Sequence, residues 1–466
     1  MTKKVAIIGA GPGGYVAAIR LAQYNIDTTV FEYDTVGGTC LNRGCIPTKT
    51  YFKNALLMHD LKHGSDYGLN LGDVSMDGGA LFDRKEKVVS TLVGGIQQLL
   101  SSYENIRFLP VKASFKDDYT LVWEEGGEAK EETFDHIIIA TGSIPSVPKS
   151  LQSDLPGVLT SDDLLELKEI PKSMVVIGGG VIGLEFSSIY NALGTEITLL
   201  APTILHGADE EISKRMIPIL KKEGIKVVKE IYGESISQGE EGLKVLGRYK
   251  KKDKTEEFEG QYVLIASGRG PLVHGFGLEN TTISFDERRG VEVDPTTYET
   301  AVKGVYAIGD VNSVGIQLAH VASAQGETVA ALIAGKKPET HMDVWPACVF
   351  TLTEVAQVGM TEQEVKEKGL AYRTSKFPFA ANGKALSLNE SQGFVKLIED
   401  EEGYLLGAHI LGPHANDLIT ECALVIANKM KTDVLLSTIH AHPTLSETVM
   451  EAALDLRGEA IHVAKR

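Results

Sequence analysis

Cys40 and Cys45 are separated by four residues in GGTCLNRGCIPTK, Gly37 to Lys49, just ahead of a run from Thr48 to Leu61 that reads as a helix. Two chemistries suit such a pair of thiols. A zinc site would want a second pair of ligands at similar spacing, and no second C-x-x-C partner occurs, so no metal is expected. A redox pair fits better, because a helix N-terminus favours the thiolate that attacks and leaves in thiol–disulfide exchange. Near the other end, HAHPTLSE supplies His440, His442 and Glu447, and a carboxylate there can orient an imidazole for general acid–base work. Cys422 shares helical spacing with Leu418, Ile419, Val425 and Ile426, and both it and Cys348 read as small core residues.

The elements that must position these groups repeat. Val5-Ala6-Ile7-Ile8 runs into GAGPGG, and Met174-Val175-Val176-Ile177 runs into GGGVIG. Each turn opens a helix-like stretch (15–22 and 184–193), the context in which glycines let a pyrophosphate approach the positive end of a helix. Two copies imply two dinucleotides. In the first, Glu32 ends the next apolar strand, Thr28 to Phe31, where an acid accepts from ribose hydroxyls; Gly9, Gly11, Gly14 and Glu32 are the expected contacts. In the second, Gly178, Gly180 and Gly183 recur, but the same offset falls on Ala201. Neither an acid nor an arginine occurs between Ile197 and Ala208, so the usual device for selecting NAD or NADP is missing. The repeat continues through hairpin signals at 123–133 and 247–260 to ATGSIP and ASGRGP. Lys250 to Lys252 read as a solvated hairpin tip. From about Trp345 the texture changes to strands 393–398 and 405–411 and a helix over 415–430, a separate α+β domain.

A chain of 466 residues can bury several cores without staples. Its net charge of −17 argues against nucleic-acid binding. Four cysteines do not make a secreted disulfide framework, and the least polar stretch, 174–186, is too short to span a bilayer. A cytoplasmic protein whose mature chain starts at or near Met1 is expected.

The ensemble resembles the flavoprotein disulfide reductases over essentially the whole chain. GGTCLNRGCIPTK resembles their redox-active segment, ATGSIP and YAIGDV their flavin-contacting segments, LAHVASAQG and FPFAANGKA later signatures, and HAHPTLSE the catalytic base. The likeness is greatest to members that oxidise dihydrolipoyl groups. It implies an α/β fold of two Rossmann-like dinucleotide-binding domains plus a C-terminal α+β dimerisation domain. Residues 1–147 and 273–341 would hold FAD, 148–272 NAD, and 342–466 the interface of a homodimer. Implied FAD contacts are Gly38, Thr39, Lys49, the Ala113 backbone, Thr141, Gly142, Ser143, Asp310, Gln317, Leu318, Ala319 and His320, beside those already named. Lys49 and Glu185 correspond to an ion pair beside the flavin's reactive nitrogen, and Val181 and Gly268 to the nicotinamide path. Cys40 would take the attack of the dithiol and Cys45 would face the flavin. His442, held by Glu447, would be the base, supplied by the other subunit. The implied partner is the lipoyl domain of a 2-oxo acid dehydrogenase complex or of the glycine cleavage system.

Within the family, a glutathione-reducing activity is disfavoured by Val181, which stands where a tyrosine gate is expected. A mercuric reductase is disfavoured by the absence of a cysteine pair in Ala460 to Arg466. An electron-transfer flavoprotein subunit with weak nicotinamide binding and a protein acceptor is the reading that Ala201 favours.

Overall fold

The computed structural model describes residues 3–464; Met1, where the mature chain is expected to start, and the last two residues of the Ala460–Arg466 tail lie outside them. Short strands with largely apolar, buried interiors and flanking helices form parallel sheets, and two such sheets are present. In the first the order is Val305–Ala307, His136–Ile139, Lys4–Ile8, Asp27–Phe31, Ile106–Leu109, all parallel. In the second it is Lys226–Lys229, Glu196–Ala201, Ser173–Ile177, Tyr262–Ile265, Val158–Leu159, again all parallel. In both, the strand that feeds the glycine turn has its sequence successor on one side and a much later strand on the other. The connections therefore diverge there and leave a crevice at the carboxyl ends, the place where open α/β sheets bind ligands.

The two sheets superpose in register as well as in order. Ile8 pairs with Phe31 and Ile139, and Ile177 pairs with Leu200 and Ile265. Glu32 and Ala201, each following the paired residue, therefore occupy equivalent positions. Each unit also carries a three-stranded antiparallel sheet, Ala113–Phe115 with Thr120–Glu125 and Glu128–Thr133, and Ile231–Gln238 with Leu243–Tyr249 and Thr255–Gly260. Gly126-Gly127 and Lys250 to Lys252 lie between the paired strands, as the hairpin signals indicate.

The third sheet is antiparallel, in the order Pro346–Val349, Val355–Gly359, Leu405–Leu411, Phe394–Asp400, Tyr372–Pro378. Helices Ala415–Ala427 and Glu447–Asp455 share its core, with Ile410, Cys422, Val449 and Ala452 fully buried. The expected helix over 415–430 ends at Ala427, and Lys429 takes a left-handed conformation just beyond it. The two short strands Ser143–Pro145 and Arg269–Pro271 pair antiparallel and join the first unit to the second.

Candidate active site

A cavity of about 1440 Å³ is walled by both glycine turns, the redox segment, Asp310 and the 317–320 turn. Gly9 and Gly178 have φ of +103° and +128°, where a side chain would be strained. Gly14 and Gly183 do not reach the cavity wall: a Cβ on either would overlap the carbonyl oxygen of Gly9 or Gly178, so they set how closely helix packs on strand. Helices Pro12–Gln23 and Val181–Leu193 are capped by Gly11 and Gly180 without any side-chain bond, which leaves their first N–H groups for an anion. In the first unit the carboxylate of Glu32 accepts from the N–H of Ala10 at 2.8 Å and from that of Asp34 at 2.9 Å. Burial raises its pKa, and the two backbone bonds oppose the rise. Open donors at the turn and a wall-lining acceptor at the strand end are what a dinucleotide requires, so the first unit fits the adenosine and pyrophosphate of such a cofactor.

Between the two units stands the cysteine pair. The side-chain amide of Asn42 donates to the carbonyls of Val36 and Gly38 at 3.1 and 3.0 Å, and the N–H of Gly37 donates to Ala10 at 2.8 Å. These bonds fix the short helix Gly38–Arg43, which carries Cys40, against the first glycine turn. The next helix starts at Cys45, three residues before Thr48, because Pro47 needs no donor in a first turn. Cys45 is therefore the first helical residue. The hydrogen bond from the Cys40 thiol, helped by Lys49, brings its pKa down to about 7 against the opposing effect of burial. The same contact, with burial, pushes Cys40 up. The Lys49 ammonium donates to both oxygens of Glu185, at 3.0 and 2.8 Å, and Glu185 also accepts from the N–H of Phe350 at 2.9 Å. Lys49 belongs to the redox helix and Glu185 to the helix of the second glycine turn, so this pair ties the thiols to the second unit. Val181 is 44% exposed on that side.

Asp310 is held by a network that the sequence reading lacked. The Ser143 hydroxyl donates to Asp310 at 2.6 Å, and Arg269 donates to the Ser143 hydroxyl at 2.9 Å, to its carbonyl at 2.8 Å and to Asp162 at 3.3 Å. Burial pushes Asp310 up, while Ser143 and Arg269 pull it back. The signal was present in ASGRGP, which follows its strand as ATGSIP does, but Arg269 gains its meaning only when Arg269–Pro271 pairs with Ser143–Pro145. His320 bonds the Pro346 carbonyl at 2.9 Å, and Gln317, Leu318, Ala319 and the buried Ala113 also line the cavity. Cys348 packs against the C-terminal core, as expected, but its strand also borders the cavity, leaving it half-buried in the wall, where burial raises its pKa to about 11.

His442 and Glu447 meet each other but not the thiols. His442 Nδ1 lies 2.9 Å from Glu447, whose second oxygen accepts from the N–H of Thr444 at 2.8 Å. Although burial raises the Glu447 carboxyl, Thr444 and His442 hold it below the usual range. The His442 side chain is 79% exposed and does not line the cavity, so within one chain the oriented imidazole faces outward. His440 turns inward to Glu421, at 2.8 Å. Among the described residues no cluster of three or more His, Cys, Asp or Glu could hold a metal ion.

The chain is 41% identical to dihydrolipoyl dehydrogenase of Bacillus subtilis and 40% identical to that of Geobacillus stearothermophilus, each over 98% of this chain and 97% of the relative. The crystal structure of LpdA from Mycobacterium tuberculosis superposes with a TM-score of 0.88 at 26% identity, covering 98% of this chain and all of the other. Residues 345–453 match the pyridine nucleotide-disulphide oxidoreductase dimerisation domain, which supports a homodimer. Residues 3–326 match the catalytic family itself, and the chain is an enzyme that belongs to the pyridine nucleotide-disulphide oxidoreductases.

Proposed function

We propose that this enzyme oxidises protein-bound dihydrolipoyl groups to lipoyl through the Cys40–Cys45 pair and FAD, passing hydride to NAD+, as a cytoplasmic homodimer. The observation that carries the reading is the cysteine pair at a helix N-terminus, backed by Lys49 and Glu185 and placed between two dinucleotide units. FAD, when bound, accepts two electrons from a dithiol and yields them as hydride.

The residues supply the rest. One substrate thiol gives its proton to the free nitrogen of His442, and the resulting thiolate attacks Cys40 Sγ in the oxidised pair. The Cys40–Cys45 bond breaks and Cys45 leaves as thiolate, the form that a pKa near 7 favours. The second substrate thiol then attacks the sulfur joined to Cys40 and its proton passes to the departing Cys40 sulfur, which closes the cyclic disulfide and frees Cys40 as a thiol while His442 keeps the first proton. Glu447 accepts a hydrogen bond from Nδ1–H of His442 and so keeps the other nitrogen available. Glu32, the N-terminus of the helix Pro12–Gln23 and Asp310 would hold FAD, while Lys49 and Glu185 would fix charge beside its reacting ring.

A second copy of the chain completes the site. His442 is exposed and separate from the cavity, and Leu386, Leu424, Ile439 and Ile461 leave apolar surface exposed around the C-terminal domain. The lipoyl domain of a 2-oxo acid dehydrogenase complex or of the glycine cleavage system would present the dithiol. The test is anaerobic turnover by the purified flavoprotein alone. NADH formed from dihydrolipoamide and NAD+, with no comparable reduction of oxidised glutathione by NADH or NADPH, supports the reading. Flavin reduction by dithiol without transfer to either nucleotide would instead point to a protein acceptor.

A further inference from the structure

The two dinucleotide units share order, register and glycine geometry, so the places where they differ can be compared residue by residue. At the ribose corner the first unit has Glu32, and on the neighbouring strand Phe31 pairs with Leu109, which puts Pro110 beside Glu32. In the second unit the same two positions hold Ala201 and its register partner Lys229. The corner has lost its carboxylate, and the residue beside it on the neighbouring strand is an exposed lysine in place of a proline.

Nothing nearby restores the acid. Ala201 is fully buried, and its Cβ lies 2.7 Å from where a Cβ on Gly179 would stand, so it faces the turn as Glu32 faces Ala10. The next carboxylate along the chain, Asp209, is 1% exposed and held by Lys396 at 2.9 Å. Glu230, adjacent to Lys229, pairs with Lys251 at 3.2 Å. Lys229 has no ion-pair partner among the described residues, and His206, a second basic side chain, is exposed on the cavity wall.

We infer that the second unit admits a nicotinamide dinucleotide bearing a 2′-phosphate as well as one bearing a 2′-hydroxyl, with Lys229 facing the phosphate. An acid at the strand end binds the 2′-hydroxyl and repels a 2′-phosphate. With alanine there, both effects are lost, and Lys229 supplies attraction in place of repulsion. The inference rests on the second unit being the nicotinamide site.

Isothermal titration of the oxidised flavoenzyme with NAD+ and with NADP+ tests it without turnover. The dissociation constants are expected to agree within about tenfold, and Ala201→Glu to shift their ratio towards NAD+ by on the order of tenfold or more. Lys229→Gln, at an exposed position, should shift the ratio the same way by roughly three- to tenfold, and it decides the matter if the buried Ala201→Glu variant fails to fold. Binding of NADP+ more than about a hundredfold weaker than NAD+, or a ratio unmoved by Lys229→Gln, overturns the inference while leaving the nicotinamide site in place. If neither nucleotide binds although dithiol still reduces the flavin, the nicotinamide reading of the second unit falls and takes the inference with it.

Discussion

The first and second glycine turns differ less in backbone than in what their neighbours do. Both cap a helix with an uncapped glycine, and both hide a packing glycine beneath the turn. The first then closes its strand end with Glu32 on the Ala10 N–H, whereas the second ends in Ala201. In exchange, the loop after Ala201 is anchored elsewhere: Asp209 caps the helix Glu210–Lys222 and joins Lys396 of the C-terminal sheet, which also bonds Glu362 at 2.7 Å. A glycine turn thus positions a pyrophosphate by geometry alone, while identity at the ribose is set by one side chain that can be exchanged without disturbing the turn.

The largest effect should come from filling the packing glycines. Gly14→Val and Gly183→Val each force a side chain onto a carbonyl, costing roughly 3 kcal/mol or more locally. Gly14→Val is expected to purify without flavin absorbance. Gly183→Val should stay yellow and be reduced by dithiol, yet bind no nicotinamide nucleotide in titration. Loss of flavin from both would break the independence of the units.

Next comes the anchor that only the second unit has. Lys396 is 4% exposed, and Lys396→Met leaves the buried Asp209 without its cation and Glu362 with Lys366 alone, at a cost of about 3 kcal/mol. The melting temperature should fall accordingly. Asp209 and Glu362 are both held below the usual carboxylate range in the folded chain, Glu362 at about 2. Their stabilisation is therefore complete above the ordinary carboxylate pKa and lost as pH falls towards the folded value. Thermal unfolding followed from about pH 7 to about pH 3 should show a smaller acid-dependent loss in Lys396→Met than in the parent.

Glu32→Ala makes the first unit resemble the second. Removing an acceptor of charge-assisted bonds costs about 2 kcal/mol, so FAD affinity should fall roughly thirtyfold while the fold persists. Flavin release during ultrafiltration measures it. The smallest effect lies where the units meet. In dithiol-reduced enzyme, alkylation of Cys45 should rise with a midpoint near pH 7, because its thiolate predominates above that value. Lys49→Met should move the midpoint up by about one pH unit; an unmoved midpoint would mean that Lys49 does not act on the thiol.

Much of this was legible in the residues. The two glycine turns, Glu32, the missing acid at 201 and the pairing of His442 with Glu447 follow from spacing that local backbone geometry enforces. Arg269 was not assigned, because its bonds to Ser143 and Asp162 depend on two short strands far apart in sequence. Cys348 reads only as a core residue since an apolar strand looks the same whether it faces a core or also a cavity. The redox helix starts three residues before the expected Thr48, with Pro47 accommodated in its first turn. Lys396 could not be anticipated, as its partners come from another sheet's loop and a distant helix.

The central claim is that the thiols of one chain and the imidazole of another make one site. Differently tagged Cys45→Ser and His442→Gln chains, co-expressed and purified as the mixed dimer, test it by dihydrolipoamide oxidation with NAD+. Each parent homodimer should be nearly inactive. The mixed dimer keeps one cavity with both an intact Cys45 and an intact partner imidazole, and about half of the unmodified activity per dimer is expected. A mixed dimer as inactive as its parents would contradict the account and return His442 to the cavity of its own chain.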